Sequence, residues 1–153
     1  MSLRDTLSND IKVAMKAGEK KKVATIRLMQ SAIKEKDINS RTEGHESALT
    51  ADPGILDIFT KMVKQRQDSI AAFEKGGRPE LAANEQEEIT IIQTYMPKQM
   101  SEDEAKAAVS GVIKAIGASG IKDMGKVMAE LKTKFSGQMD MGKAGGLVKG
   151  LLG

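Results

Sequence analysis

Glu85 and Glu88 stand three residues apart in a helical stretch, so their carboxylates share one face. Such a pair can share a proton, hold a metal or neutralise an arginine. At about 100° per residue, Leu81, Ile92 and Tyr95 form an apolar stripe that contains both glutamates. In the preceding segment Ile55, Phe59, Met62, Ile70 and Phe73 form another stripe, with Arg66 in its middle. Arg27 also lies among apolar residues. Charges on faces that meet a core need partners. Arg66 and Arg27 are therefore expected to pair with Glu85 and Glu88 as structural ion pairs that fix helix register. The metal alternative fares worse, because carboxylate-bridged di-iron sites in bundles draw a Glu-x-x-His pair from two helices. The chain has one histidine, His45, placed among Glu43, Gly44 and Glu46 in an expected loop. One histidine without a partner supplies neither that site nor a Ser-His-Asp triad. No Gly-rich phosphate loop opens a helix: Gly145-Gly146 is no such loop, and Gly142-Lys143 is not followed by Ser or Thr. No catalytic residue, metal or cofactor is expected.

The second chemistry is cationic. From Met1 to Pro97 there are fifteen Lys/Arg and fifteen Asp/Glu; from Lys98 to Gly153 there are nine Lys and six acids. In this basic tail Lys126 projects nearly opposite an apolar stripe, and Lys132 and Lys134 flank that stripe. Lys143 and Lys149 lie near the ends of the last helix. Such lysines bind phosphates by electrostatics and counterion release; they also suit an ordinary solvated surface. With three Phe, one Tyr and no Trp, stacking on single-stranded bases is scarcely available. The pattern fits backbone recognition of a folded RNA.

These residues need helices to hold them. Scarce aromatics and ten Met, with many Ala and Leu, favour helix over sheet. The periodicity predicts helices over 3–17, 20–38, 52–75 and 78–95, then 102–116, 124–135 and 143–152. Residues 39–51 read as a loop. Asp52-Pro53 reads as an N-cap followed by a first-turn proline. The 20–38 helix carries Val23, Ile26, Met29 and Ile33 on one side and Ala24, Leu28 and Ala32 on another, so it is expected to be central. Pro97 should stop the fourth helix, and Ser101 with Glu104 has the form of a capping box. The expectation is all-α, a four-helix domain over 1–97 followed by a small three-helix domain over 98–153. About 55 residues bury little core, so the second domain should be marginally stable.

The absence of cysteine excludes disulfides and thiol nucleophiles and fits a reducing compartment, here read as the cytoplasm. No stretch has the ~20 apolar residues of a membrane span, and Met1-Ser2-Leu3-Arg4-Asp5 lacks a signal peptide's apolar core.

An ordered series of short segments then resembles the GatB/YqeY family along nearly the whole chain. They are Lys12-Val13-Ala14-Met15-Lys16-Ala17-Gly18, Thr25-Ile26-Arg27-Leu28 and Lys64-Gln65-Arg66-Gln67-Asp68-Ser69-Ile70. Next come Gly77-Arg78-Pro79-Glu80-Leu81 and Glu85-Gln86-Glu87-Glu88-Ile89 running into Tyr95-Met96-Pro97. Met124-Gly125-Lys126-Val127-Met128 and Gly142-Lys143-Ala144 complete it. Gly145 departs from the more polar residue expected there. The resemblance implies a C-terminal half similar to the tail domain of the B subunit of glutamine-dependent Asp/Glu-tRNA amidotransferase, a helical tRNA-contacting module. It implies tRNA as partner; on that reading Lys126, Lys132, Lys143 and Lys149 would contact phosphates, and Gly125 and Gly142 would permit close backbone approach. Two alternatives stay open. One is an adaptor that docks on an amidotransferase or an aminoacyl-tRNA synthetase. The other is a carbon–nitrogen ligase activity with glutamine as amido donor, implied by the family and unsupported by the residues.

Overall fold

The computed structural model describes residues 2–42, 50–135 and 137–153. His45 lies outside them. The protein is all-α, and it divides into two compact units, Met1–Met96 and Pro97–Gly153.

The first unit holds α1 (Leu3–Ala17), α2 (Lys20–Thr42), α3 (Asp52–Lys75) and α4 (Pro79–Gln93). Ser2 caps α1 by accepting the Asp5 amide at 3.2 Å. Gly18 ends it at φ 73, a left-handed conformation that a residue with a Cβ adopts at a cost. The Glu19 amide then bonds back to the Ala14 carbonyl at 3.0 Å, and α2 begins at once. Leu7, Ile26, Met29, Ile33, Ile55, Phe59, Met62, Val63, Ile89 and Ile92 make one core, drawn from all four helices.

Four expectations change here. The second helix continues to Thr42, because Asn39-Ser40-Arg41-Thr42 contains no Gly or Pro and the merely mediocre propensity of these residues does not stop a helix already propagating. The same helix is not buried all round, since Leu28 remains 46% exposed and Ala24 is exposed too. Ala51, not Asp52, occupies the N-cap of α3. Asp52 instead accepts the Leu3 amide at 3.2 Å and so serves the start of α1, which periodicity cannot show. The fourth helix stops at Gln93, and the chain tightens through bonds from the Thr94, Tyr95 and Met96 amides to the carbonyls three residues earlier. Pro97 requires its predecessor to leave the α conformation.

The second unit holds α5 (Glu102–Ile116), a single 3-10 turn (Ile121–Asp123), α6 (Met124–Phe135) and α7 (Met141–Leu152). The capping box is present: Ser101 accepts the Glu104 amide, and Glu104 accepts the Ser101 amide. The last helix starts two residues before its expected origin, because Asp140 caps it by accepting the Gly142 amide at 2.8 Å. Val109, Val112, Val127, Leu131, Met139, Ala144 and Val148 form the core. The segment before α5 is tied to the turn after α6: the Met100 amide donates to the Gln138 carbonyl at 2.8 Å, and the Gln99 side chain donates to the Gly137 carbonyl.

Asp37 is a buried junction in the first unit. It accepts from Arg4 at 2.7 Å and from the Thr50 amide at 2.8 Å, while Arg4 also donates to the Thr50 carbonyl. One carboxylate thus joins α1, α2 and the entrance to α3. The Arg4 hydrogen bond outweighs the burial that opposes ionisation, and the Thr50 amide assists, so the Asp37 pKa is held down to about 2. A depressed carboxylate pKa stabilises fully above the ordinary range near pH ~4 and loses that contribution as pH falls through the folded value. Asp37→Asn is expected to cost about 2 kcal/mol at neutral pH. Urea unfolding of both proteins between pH ~6 and ~2 checks this; the gap should narrow as the acid side is approached, and a pH-independent gap would contradict it.

Candidate nucleic-acid interface

Arg66 rises from the half-polar third quarter of α3 and meets α4. Its Nε lies 2.7 Å from Glu88 Oε2 and 4.0 Å from Glu85 Oε2, and its Nη1 donates to the Met62 carbonyl at 3.1 Å. The Arg66 side chain keeps 13% of its exposure, and Lys21 of α2 reaches Glu88 at 3.4 Å. The cluster therefore joins three helices. Arg66 is tied at both Nε and Nη1 to protein acceptors, which suits a register lock better than proton transfer. The expectation for Arg27 is corrected. Its side chain is exposed, and Nη2 lies 3.9 Å from the Met15 sulfur on α1, away from both glutamates. It occupies the flank of α2 beside α1.

Tyr95 makes a further long-range polar tie in this unit, donating to Asp10 at 2.5 Å. Burial first, and then the Asp10 hydrogen bond, push the phenol well above its ordinary pKa. It is held as a neutral donor. Among the described residues no group of three or more His, Asp or Glu is placed to hold a metal.

The tail lysines sit differently. Lys126, Lys132, Lys143 and Lys149 are all exposed, as are Gly125 and Gly142. Six residues on a helix turn through about 120°, so Lys126 and Lys132 leave α6 on different sides, as do Lys143 and Lys149 on α7. Gly145 faces Met124 and Met128, which fixes the flank of each helix that meets the other. Just outside that seam lie Gly125 and Lys132 on α6, and Gly142 and Lys149 on α7. Lys126 and Lys143 turn away from it. The fold thus makes a seam of two glycines and two lysines, not one cluster of four. Lys134 is engaged by Glu130 at 3.1 Å.

The glycines differ in what they offer. A Cβ on Gly125 would meet nothing within 4 Å, so its backbone lies open. The Gly142 amide is already taken by Asp140, and a Cβ there would sit 3.2 Å from that carboxylate. Asp140 offsets the positive end of α7 and weakens Gly142 as a phosphate contact. The Asp140 cap was missed because Ser136 to Asp140 carries no strong periodicity.

The sequence profile of the family described as Yqey-like protein matches residues 4–152. The chain belongs to the YqeY-like family. Curated relatives are named "Altered inheritance of mitochondria protein 41, mitochondrial". The protein of that name from Eremothecium gossypii is 34% identical over 128 residues, 82% of this chain and 67% of its own length. Those of Vanderwaltozyma polyspora and Kluyveromyces lactis are 40% identical over 91 residues and 36% over 89. The matched segments cover 59% and 58% of this chain and span less than half the length of these two relatives, 46% and 45%. The expected cytoplasmic location is overturned by these names, which place the relatives of this YqeY-like chain in mitochondria. The physical reason is that a cysteine-free composition suits any reducing compartment equally. Among the described residues no helix is long and apolar enough to cross a membrane.

Removing Arg66 would leave Glu88 with only the more distant Lys21. Arg66→Ala is expected to destabilise the protein by about 3 kcal/mol. Chemical denaturation measures this, and a double-mutant cycle with Glu88→Gln should return a coupling above about 1 kcal/mol. Additive single effects would show that the pair is not a unit.

Proposed function

We propose that this YqeY-like protein is a tRNA-binding accessory module, related to the tail of the amidotransferase B subunit and without an active site of its own. The observation that carries the reading is the α6–α7 seam, where open backbone at Gly125 shares a flank with Lys132 and the facing helix brings Lys149, in a chain of this family. Bare helix backbone lets a sugar–phosphate chain come close, and flanking ammonium groups neutralise it with release of counterions. Lys126 and Lys143 act at longer range. The few aromatics leave shape and backbone as what is recognised.

A second reading, an adaptor for an amidotransferase or an aminoacyl-tRNA synthetase, is favoured by Ile121 and Leu151, 53% and 55% exposed. They stand at the end of the same unit where a Cβ on Gly153 would lie 3.6 Å from Ile121 Cδ1. The ligase reading has less to draw on. Release of ammonia from glutamine calls for a nucleophile and its base, and the chain has no cysteine and one histidine. Purified protein is expected to give no glutamine-dependent amide formation on misacylated tRNA.

Binding of bulk tRNA at two salt concentrations tests the leading reading. Lys126→Glu/Lys132→Glu/Lys143→Glu/Lys149→Glu should abolish binding that is micromolar or tighter and steeply salt-dependent in the unaltered chain. Lys132→Glu/Lys149→Glu should lose more than Lys126→Glu/Lys143→Glu. Unchanged binding in the quadruple variant would rule out the seam, and undiminished capture of a protein partner by that variant would favour the adaptor.

A further inference from the structure

The balance of fifteen bases against fifteen acids over the first unit hides a strong local asymmetry. From Lys12 to Lys34 the chain carries seven Lys/Arg and one acid, Glu19. The tight turn at Gly18 folds this stretch into the α1–α2 hairpin, so the charges gather instead of spreading along a rod. On α1, Lys12 and Lys16 are one turn apart and lie on the side away from the buried Leu7 and Ala14. On α2, Lys20 and Arg27 are two turns apart on one flank, and the contact of Arg27 with Met15 identifies it as the flank beside α1. All four are exposed. Of the cations between Lys12 and Lys34, only Lys21 has a carboxylate partner among the described residues, Glu88.

The placement also runs against helix electrostatics. Lys20, Lys21 and Lys22 open α2, whose first turn has no acidic residue, so three positive side chains meet the positive end of the helix dipole. Glu88 offsets Lys21, and Glu19 and Glu87 line a surface pocket together with the three lysines, so this positive start is only partly compensated. We propose that the outer face of the α1–α2 hairpin is a second contact surface, gripping the phosphodiester backbone of structured RNA through Lys12, Lys16, Lys20 and Arg27. This rests on reading the protein as an RNA binder, though not on the tail lysines. A local excess of exposed cations matches a polyanion of regular charge spacing. The exposed large apolar side chains between Lys12 and Lys34 are Val13, Met15 and Leu28, and no Trp is present to anchor a membrane interface.

The test uses the full chain and bulk tRNA across a salt series. The variants are Lys12→Glu/Lys16→Glu/Lys20→Glu/Arg27→Glu, its Gln counterpart, the tail quadruple variant, and a charge-matched control, Lys36→Glu/Lys61→Glu/Lys64→Glu/Lys75→Glu. The hairpin variant should bind at least ~10-fold more weakly, and its log–log salt slope should fall by about 3 to 4. The Gln version should lose a similar slope. Neither should melt much earlier than the unaltered chain, because removing the Lys20 charge relieves the unfavourable start of α2 while the change at Lys16 has a cost of the same small order at the end of α1. Should the hairpin variant bind as the unaltered chain does while the tail variant does not, the inference falls and the tail reading stands. The reverse pattern upholds the hairpin and removes the tail. Equal loss in the control means that net charge alone governs binding and overturns the hairpin. No retention of tRNA by the unaltered chain at low salt, or retention only of vesicles rich in anionic lipid, overturns both readings.

Discussion

Charge placed on helix faces that meet a core is the constraint on which the first unit depends. Arg66 and Asp37 are each largely withdrawn from water, and each would be costly alone. The cost is avoided only when particular helices stand in a particular register. Arg66 demands Glu88 from α4, Glu88 also takes Lys21 from α2, and Asp37 demands Arg4 from α1. An apolar core alone tolerates sliding; these pairs do not. They hold the hairpin of α1 and α2 in place and leave its outer face free to carry unbalanced charge.

The second unit works by other means. Its core is small and built from Val, Leu, Ala and Met, and its helices are defined by caps at Ser101 and Asp140 and by a glycine stop at Gly117. Little interior volume leaves little reserve against a substitution. What it presents is backbone: α7 is unusually rich in glycine, and one of those glycines, Gly145, faces Met124 and Met128 of α6. The same lack of side chains that weakens the helix opens its outer surface.

Family membership and function stand on different ground. The match over residues 4–152 concerns the whole chain. What the protein binds depends on a handful of exposed side chains, which a shared fold does not constrain. The proposed polyanion contacts rest on charge asymmetry, in one unit along a glycine-lined seam and in the other on a hairpin.

Sequence by itself determined the helical class, because period, composition and stop signals at Gly18, Gly76 and Pro97 act locally along the chain. It also determined that Arg66 would need a carboxylate and that Glu85 and Glu88 lay on a suitable face, since burial of charge is legible as a break in an apolar stripe. Tertiary structure alone decided which partners were used. Arg27 sat in an equally apolar context yet emerged on the exposed flank, because a helix wheel shows where residues lie relative to one another and not which side the neighbours cover. Nothing in the periodicity singled out Asp37, and Asp52 read as the cap of α3; the roles of both came from chain segments remote in sequence. The tail lysines were visible as charges, but their division between the α6–α7 seam and the far sides depended on the facing of Gly145, which only packing fixes.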